Sequence, residues 1–357
     1  MRDFDYGNAR LRAMKSRLLT QHDIEALAEV GSLKGLIAAL TKTPYRKTVE
    51  AALSRSSGMS CISNALGDDL IDTLGSIRDF FEDEAQKMVV IVLRRYDLHN
   101  LKTILRGLSQ GAAPSEIQST LIPVGELNRP LLAELTRAPD PRSAIDVLAS
   151  INSTFAQPLL HLRAEHPGAD VTRMELALEQ WSLTQAKSFL ESELQNGNGL
   201  TAALDLDADL SNMLTALRFA QTPEDRKLLQ EWIGEDDLLP LLLGPGSLPF
   251  DMLVQAGTQD TLDAAVEIFA RTNYNDALKA GLEAYARSNR LSDLERQLRI
   301  YRLRWMSEKI TSDPLGIGVV LGYTALKVSE VGNLRWMAHG INLGMSAQSI
   351  RASLESV

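Results

Sequence analysis

A chain of 357 residues is longer than one hydrophobic core ordinarily sustains, since single cores stop growing at about 250–300 residues, so two or three packed units are expected. Hydrophobic residues make up 45% and charged residues 23%, a composition that excludes a disordered or low-complexity chain. The formal charge of −9 excludes a surface built to track a phosphate backbone, which needs clustered Lys and Arg, and nucleic acid is therefore not an expected partner.

Only 5% of residues are aromatic, and Leu, Ala, Arg, Glu, Met and Gln recur throughout, which predicts an all-α chain. At the N-terminus, charges run through the stretch from Met1 to Leu19 where a signal peptide would be apolar, so no secretion signal is expected. Arg10, Arg12, Lys15 and Arg17 form a first basic cluster. Thr20 and Asp23 stand at capping-box spacing and start a helix, followed by Gly31-Ser-Leu33. The single cysteine, Cys61, excludes an internal disulfide and a cysteine-rich zinc site, and fits a reducing compartment. The acidic run Asp68, Asp69, Asp72, Asp79, Glu82, Asp83, Glu84 reads as a solvated helix face or a docking surface.

Leu98, Leu101, Ile104, Leu105 and Leu108 predict a helix whose other faces carry Arg94, Arg95, Lys102 and Arg106. Leu291, Leu294, Leu298, Tyr301 and Trp305 predict a long helix from near Asn289. Loops are expected at Gly111–Pro114, Ala138–Pro141, His166–Asp170, Asn196–Gly199, Gly244–Pro249 and Thr311–Gly318, where Gly, Pro and Asn interrupt the pattern. The near-apolar run from Pro314 to Leu326 is too short for the roughly 20 residues that span a bilayer.

An internal repeat is present. Adding 233 to Asn100, Gly107, Gly111, Ile117 and Leu121 gives Asn333, Gly340, Gly344, Ile350 and Leu354 without a gap. Asp209-Leu-Ser-Asn212 to Arg218 is a middle copy, and Gly246-Ser-Leu248 follows it as Gly125-Glu-Leu127 follows Asn100. In the first copy Gly31-Ser-Leu33 is taken as that Gly-x-Leu element. The first copy lacks the long helix before the motif and the last lacks the element after it, which predicts three helical units with one shared by the termini. The units are placed at 1–90 with 323–357, 91–200 and 201–322.

Chemistry-bearing constellations are scarce. The five histidines never fall at His-x-x-x-His spacing, no Gly-x-Ser-x-Gly elbow or P-loop occurs, and Gly316, Gly318 and Gly322 match a dinucleotide fingerprint poorly and read as packing or hinge glycines. No cofactor, metal or small-molecule substrate is expected. Asn100, Asn212 and Asn333 read as repeated structural hydrogen-bonding residues, and Gly107, Gly111, Gly340 and Gly344 as helix ends. The basic residues recur with the repeat, ending at Lys327 and Arg335, and two readings stand: a solvated helix surface, or a ring of cations at one mouth of a closed assembly, able to accept an acidic element.

The segment Asn8-Ala-Arg10-Leu-Arg12-Ala-Met-Lys15 with Gly31-Ser-Leu-Lys-Gly-Leu to Tyr45, the motif Arg95-Tyr-Asp-Leu-His-Asn100-Leu-Lys102 to Arg106, and Gly322-Tyr323 with Lys327, Glu330 and Asn333-Leu-Arg335 resemble the C subunit of archaeal and bacterial A/V-type rotary ATPases, related to the d subunit of the eukaryotic vacuolar ATPase. The resemblance implies a non-catalytic, all-helical funnel of three domains with pseudo-threefold symmetry. It implies one copy per complex, seated peripherally on the cytoplasmic face of the membrane proteolipid ring and receiving the central rotor shaft for ATP-linked proton or sodium transport. In that setting Arg10, Arg12, Lys15, Arg94, Arg95, Lys102, Arg106 and Arg335 are the expected shaft-socket residues, and the segments Leu238–Leu248 and Pro314–Leu326 are read first as buried helix packing and otherwise as ring contacts. The competing expectation is a free helical-repeat adaptor that binds peptide or protein partners, with open stacking and capping repeats.

Overall fold

The computed structural model describes residues 4–193, 197–221 and 238–355, and among them every regular element is helical. Helix α1 (Asp5–Lys15) precedes three short helices, α2 (Gln21–Ala28), α3 (Leu33–Leu40) and α4 (Arg46–Leu53). Two long helices follow, α5 (Gly58–Ile77) and α6 (Asp83–Ser109), and then the single turn α7 (Pro114–Gln118). The same order returns in α8 (Arg129–Leu135), α9 (Pro141–Ser150), α10 (Ala156–Glu165), α11 (Val171–Glu193) and α12 (Asn198–Gln221). It returns again in α13 (Phe250–Gly257), α14 (Leu262–Glu267), α15 (Asn275–Ser288), α16 (Leu291–Ser312) and α17 (Gly318–Asn342), closed by α18 (Ala347–Ser353).

Both helices expected from periodicity are present, within α6 and as α16. The expected loop at Asn196–Gly199 is corrected: Asn198 and Gly199 already belong to α12, where Gly197 turns the chain, and Asn196 lies outside the described residues. Local chemistry explains the recurring short helices. Thr20 and Asp23 form the capping box that opens α2. The next short helix of each set starts from a side-chain oxygen that accepts a free backbone N–H: Ser32 from Gly35 at 3.1 Å, Asp140 from Ser143 at 2.7 Å, and Thr261 from Ala264 at 3.2 Å.

The chain divides into two compact units. One comprises residues 1–97, 122–128 and 303–357. In it α5 packs against α4 and α17, burying Ile62, Leu66, Leu70, Leu74 and Ile77. Each such side chain contributes about 1.5–3 kcal/mol when fully withdrawn from water. Gly318 and Gly322 of α17 face the carbonyls of Lys309 and Met306 in α16, where an added Cβ would lie 2.6 and 2.7 Å away, so these glycines serve helix packing. The other unit comprises residues 98–121 and 129–302. There α12 buries Met213, Ala216, Leu217 and Ala220 and packs against α13 and α14, and α10 packs against α9 and α11.

The repeat glycines have two separate duties. Gly111 and Gly344 take left-handed φ of +66° and +71° just beyond α6 and α17. The N–H of Ala112 returns to the carbonyl of Gly107, and that of Met345 to Gly340, both at 2.9 Å, which is the Schellman pattern. Gly107 and Gly340 are therefore not terminal residues; they lie inside the last turn, where the close approach of Ile117 and Ile350 leaves no room for a Cβ. Gly340→Ala should destabilise the chain by about 1–3 kcal/mol, because the new methyl would sit 2.8 Å from Ile350. Urea unfolding checks this: adding Ile350→Ala should cost less in the Gly340→Ala background than in the wild type, whereas strict additivity would refute the steric account.

Candidate functional site

Three residues before Asn100, Asn212 and Asn333 stand Asp97, Asp209 and Glu330. These three carboxylates are 0%, 0% and 8% exposed. Burying a carboxylate is costly unless it is matched by donors, and each of these is. Asp97 accepts the backbone N–H groups of Glu126 and Leu127 at 2.8 and 2.9 Å. Asp209 accepts the N–H of Leu248 at 3.0 Å and the hydroxyl of Tyr274 at 2.8 Å. Glu330 accepts the N–H of Leu19 and the hydroxyl of Tyr45.

These bonds give the Gly-x-Leu element its physical reason. A Cβ at Gly125 would lie 2.1 Å from Asp97 Oδ2, and one at Gly246 would lie 2.0 Å from Asp209 Oδ1. At these two places any side chain would collide with the carboxylate that the next amides reach. The first copy is corrected accordingly. Its counterpart of Leu127 and Leu248 is Leu19, not Leu33, and Arg17 stands where the other copies have glycine. There the carboxylate is a glutamate, one methylene longer. Gly31 instead precedes the N-cap Ser32, with φ of +68°. The tyrosine position also varies: Tyr45 and Tyr274 correspond to Phe155, which has no hydroxyl, and Asp97 takes a second backbone N–H instead.

The asparagines clamp passing backbone with both ends of the amide. Asn212 donates to the Gly244 carbonyl at 2.9 Å and accepts from the Leu243 N–H at 2.8 Å. Asn333 donates to the Glu355 carbonyl at 2.7 Å and accepts from its N–H at 2.8 Å. Asn100 is fully buried.

Around Glu330 charges of both signs are buried together. Lys327, 7% exposed, donates to the Tyr45 hydroxyl at 2.8 Å and to Glu330 at 3.1 Å, and its ammonium lies 2.8 Å from Asp69. It also sits over the Tyr45 ring. Burial, and next the charge of Glu330, push the Tyr45 phenol far above its ordinary range, so it remains a donor. Lys327 thus belongs to the core and not to an exposed cationic ring.

The other basic positions are distributed as follows. Arg10, Arg12 and Lys15 are exposed on α1. Arg10 donates to the Tyr6 hydroxyl at 2.7 Å and lies 4.3 Å from the Phe80 ring centre, and Arg12 donates to the Pro314 carbonyl. Arg94 pairs with Glu126 at 3.2 Å, and Arg95 is exposed. On α6, Lys102 pairs with Glu179 and Arg106 with Glu175, both on α11. Arg218 of α12 pairs with Glu295 of α16 at 2.6 Å. Since Arg218 holds the register of Arg106, a recurring interhelical ion pair accounts for part of the recurring positive charge. Arg335 is half-buried beside Gly67, and burial lowers its pKa.

Of the apolar segments, Leu238, Leu242 and Leu248 are buried, whereas Leu239 and Leu315 are exposed. Cys61 is buried in α5, and burial pushes its thiol up, away from the reactive thiolate. Among the described residues no His, Cys, Asp or Glu cluster could hold a metal ion, and no helix is long and apolar enough to cross a membrane. In the unit of residues 98–121 and 129–302 a cleft of about 220 Å³ is lined by Leu159, Leu162, His166, Met174 and two arginines. Both arginines are engaged, Arg142 with the Pro167 carbonyl and Arg163 with Asp146.

The arrangement holds backbone segments in place by buried charge, and two outcomes follow. Lys327→Met should destabilise the chain by about 3–5 kcal/mol in urea unfolding, because Glu330 and Asp69 would be left without their cation; a loss under 1 kcal/mol would contradict this. Asp97 is pushed up to about 6, chiefly by burial, against the opposing pull of its two backbone donors. The folded chain then binds this proton more tightly than the unfolded chain, so the contribution of Asp97 to stability is full below about pH 4 and declines as pH rises through about 6. The rise from 3.8 to about 6 corresponds to roughly 3 kcal/mol. The stability of wild type relative to Asp97→Asn should therefore fall between pH 4.5 and 7.5, and a flat difference would contradict the buried, perturbed carboxylate.

Comparison with known proteins places this arrangement. Residues 7–353 match the family model described as ATP synthase (C/AC39) subunit. The C subunit of the A-type ATP synthase of Methanococcoides burtonii is 24% identical, with 99% of this chain and 94% of that protein aligned. The C subunit of the A-type ATP synthase of Haloferax volcanii is 26% identical over 98% of this chain and 97% of that protein, and the C subunit of the V-type ATP synthase of Deinococcus radiodurans is 23% identical over 99% and 92%. With the family model matched over nearly the whole chain, this protein belongs to the ATP synthase C/AC39 subunit family.

Proposed function

We propose that the chain is the non-catalytic central-stalk subunit of a rotary A/V-type ATPase, coupling the rotor shaft to the membrane proteolipid ring. The observation that carries the reading is the match of residues 7–353 to the subunit family. The buried nodes support it in physical terms. A torque coupler must not shear under load, and Asp97, Asp209 and Glu330 tie long helices to the segments beside them by buried hydrogen bonds, where stranding one partner costs about 1–3 kcal/mol.

In this reading the three sets of helices are three pseudo-repeated domains, at about 1–90 with 323–357, 91–200 and 201–322, in a funnel with pseudo-threefold symmetry. The bond from Leu19 to Glu330 supports a first domain shared by the two ends. The shaft and ring subunits of the same ATPase are the partners, with one copy per complex on the cytoplasmic face. Of the candidate shaft-socket cations, Arg94, Lys102 and Arg106 are held in internal ion pairs. Arg10, Arg12, Lys15, Arg95 and Arg106 are exposed and Arg335 is half-buried.

The test is affinity purification of tagged chain from solubilised native membranes, with mass spectrometry of the co-purifying chains and an ATPase assay. Recovery of nucleotide-binding head, shaft and proteolipid subunits with ATPase activity is expected. Recovery of soluble partners alone, without ATPase, would replace the coupler with a free adaptor.

A further inference from the structure

At the repeated helix contacts a cation on one long helix meets a glutamate on the long helix beside it. Lys102 and Arg106 of α6 pair with Glu179 and Glu175 of α11, and Arg218 of α12 pairs with Glu295 of α16. Adding 233 to Lys102 gives Arg335 on α17, so the cation is present again. The helix packed beside α17 is α5, and the residue at the guanidinium is Gly67: Nη2 of Arg335 lies 3.6 Å from a Cβ added to that glycine. On α11 the two acids stand four residues apart, and on α5 the residue four before Gly67 is Ser63, which is also uncharged. The contact of α17 with α5 therefore holds the base of this ion pair without its acid.

The carboxylates that follow Gly67 are committed elsewhere. Asp68 pairs with Arg55 at 2.7 Å, and Asp69 lies 2.8 Å from the ammonium of Lys327. Among the described residues no hydrogen bond or ion pair reaches Arg335. Its side chain is half-buried, and burial lowers its pKa with only the Tyr45 phenol acting the other way. A long cationic side chain ordinarily carries its charge out into water, whereas this one lies against a glycine of the neighbouring helix with no protein acceptor for its five donors. The place is open: apart from the backbone of α5 itself, that arginine nitrogen is the only atom within 4 Å of the added Cβ at Gly67.

We propose that Arg335 is the docking point for an Asp or Glu side chain of another subunit, which enters the slot left open at Gly67 and stands to Arg335 as Glu179 stands to Lys102. Three observations select a carboxylate. The guanidinium presents paired N–H donors in the geometry a carboxylate accepts. The equivalent cation elsewhere in this chain is matched by a glutamate. Asp68 and Asp69 follow Gly67 directly, and they oppose the nearly double charge of a phosphate group more than the single charge of a carboxylate. The slot thus discriminates by charge, accepting an acidic side chain and rejecting a basic one. This deepens the stalk reading by singling out the half-buried member of the candidate shaft-socket cations, and it rests on that reading for the complex in which the acid is sought.

The test is a zero-length crosslink in the assembled complex. Tagged chain carrying Arg335→Lys, which keeps the charge, is purified with its partners from solubilised native membranes and treated with a water-soluble carbodiimide. The reagent joins a lysine amine to a carboxylate in contact with it, forming an amide while the carbodiimide takes up the water as its urea, and the crosslinked peptides are sequenced. Position 335 should be joined to one Asp or Glu of another subunit. Arg335→Glu should lower retention of that subunit by about tenfold or more, and Gly67→Glu, which fills the slot from within the chain, should do the same, whereas Gly67→Gln should lower it less than about threefold. In the free chain the melting temperature of Gly67→Glu relative to Gly67→Gln should be higher by about 2 °C with Arg335 present than in an Arg335→Gln background. A crosslink from position 335 to an acid of this chain or of a second copy of it, no crosslink in a recovered complex, or unchanged retention in Arg335→Glu would overturn the docking proposal alone. Failure to recover the complex with the wild-type chain would remove the stalk reading and this proposal together.

Discussion

The structure depends on burying a carboxylate at one register of a long helix and matching it with donors from a segment far along the chain. Asp97 and Asp209 reach the amides that follow Gly125 and Gly246, and Glu330 reaches Leu19. An ionised group withdrawn from water without partners would cost more than the few kcal/mol by which a domain is stable, so the matching segments cannot drift. Each node therefore fixes where its loop sits, and the short helix after that loop, α2, α8 or α13, starts from a defined point.

The three nodes are built with different parts. Where the loop has a glycine, a short aspartate suffices; where it has Arg17, the carboxylate is the longer Glu330. Where an aromatic hydroxyl is present, as in Tyr274 or Tyr45, one backbone amide is enough. At Glu330 a second acid, Asp69, shares the same buried lysine, Lys327, which balances the pair. The stability of the terminal node is consequently more exposed to single substitutions than its hydrogen-bond count suggests, because removing one charge strands two others.

Much of this was legible in the sequence, and the parts that were not share a cause. Periodicity located α6 and α16 because both run for many turns with an apolar face. The spacing of Asn100, Gly107 and Gly111 was readable because it encodes local geometry, a clamp and a Schellman turn. The short helices were harder, since Ser32, Asp140 and Thr261 do the same capping work under three different letters. The first Gly-x-Leu element was misplaced at Gly31 because two changes compensate, Arg17 for glycine and glutamate for aspartate, and neither is visible at a single position. The basic residues were ambiguous because the acids that neutralise Arg106 and Arg218 lie 69 and 77 residues away in the chain. Only the fold brings them together.

The account's central claim is that backbone amides of connecting segments end on three buried carboxylates, and native-state hydrogen exchange resolved at the amides of Leu19, Leu127 and Leu248 tests it most directly. All three lie in connecting segments, where exchange would ordinarily be fast. The account predicts protection approaching that of the core amides of α5 and α12, lost selectively at Leu127 in Asp97→Ala, at Leu248 in Asp209→Ala and at Leu19 in Glu330→Ala. Exchange of these amides at ordinary loop rates in the wild-type chain would contradict it.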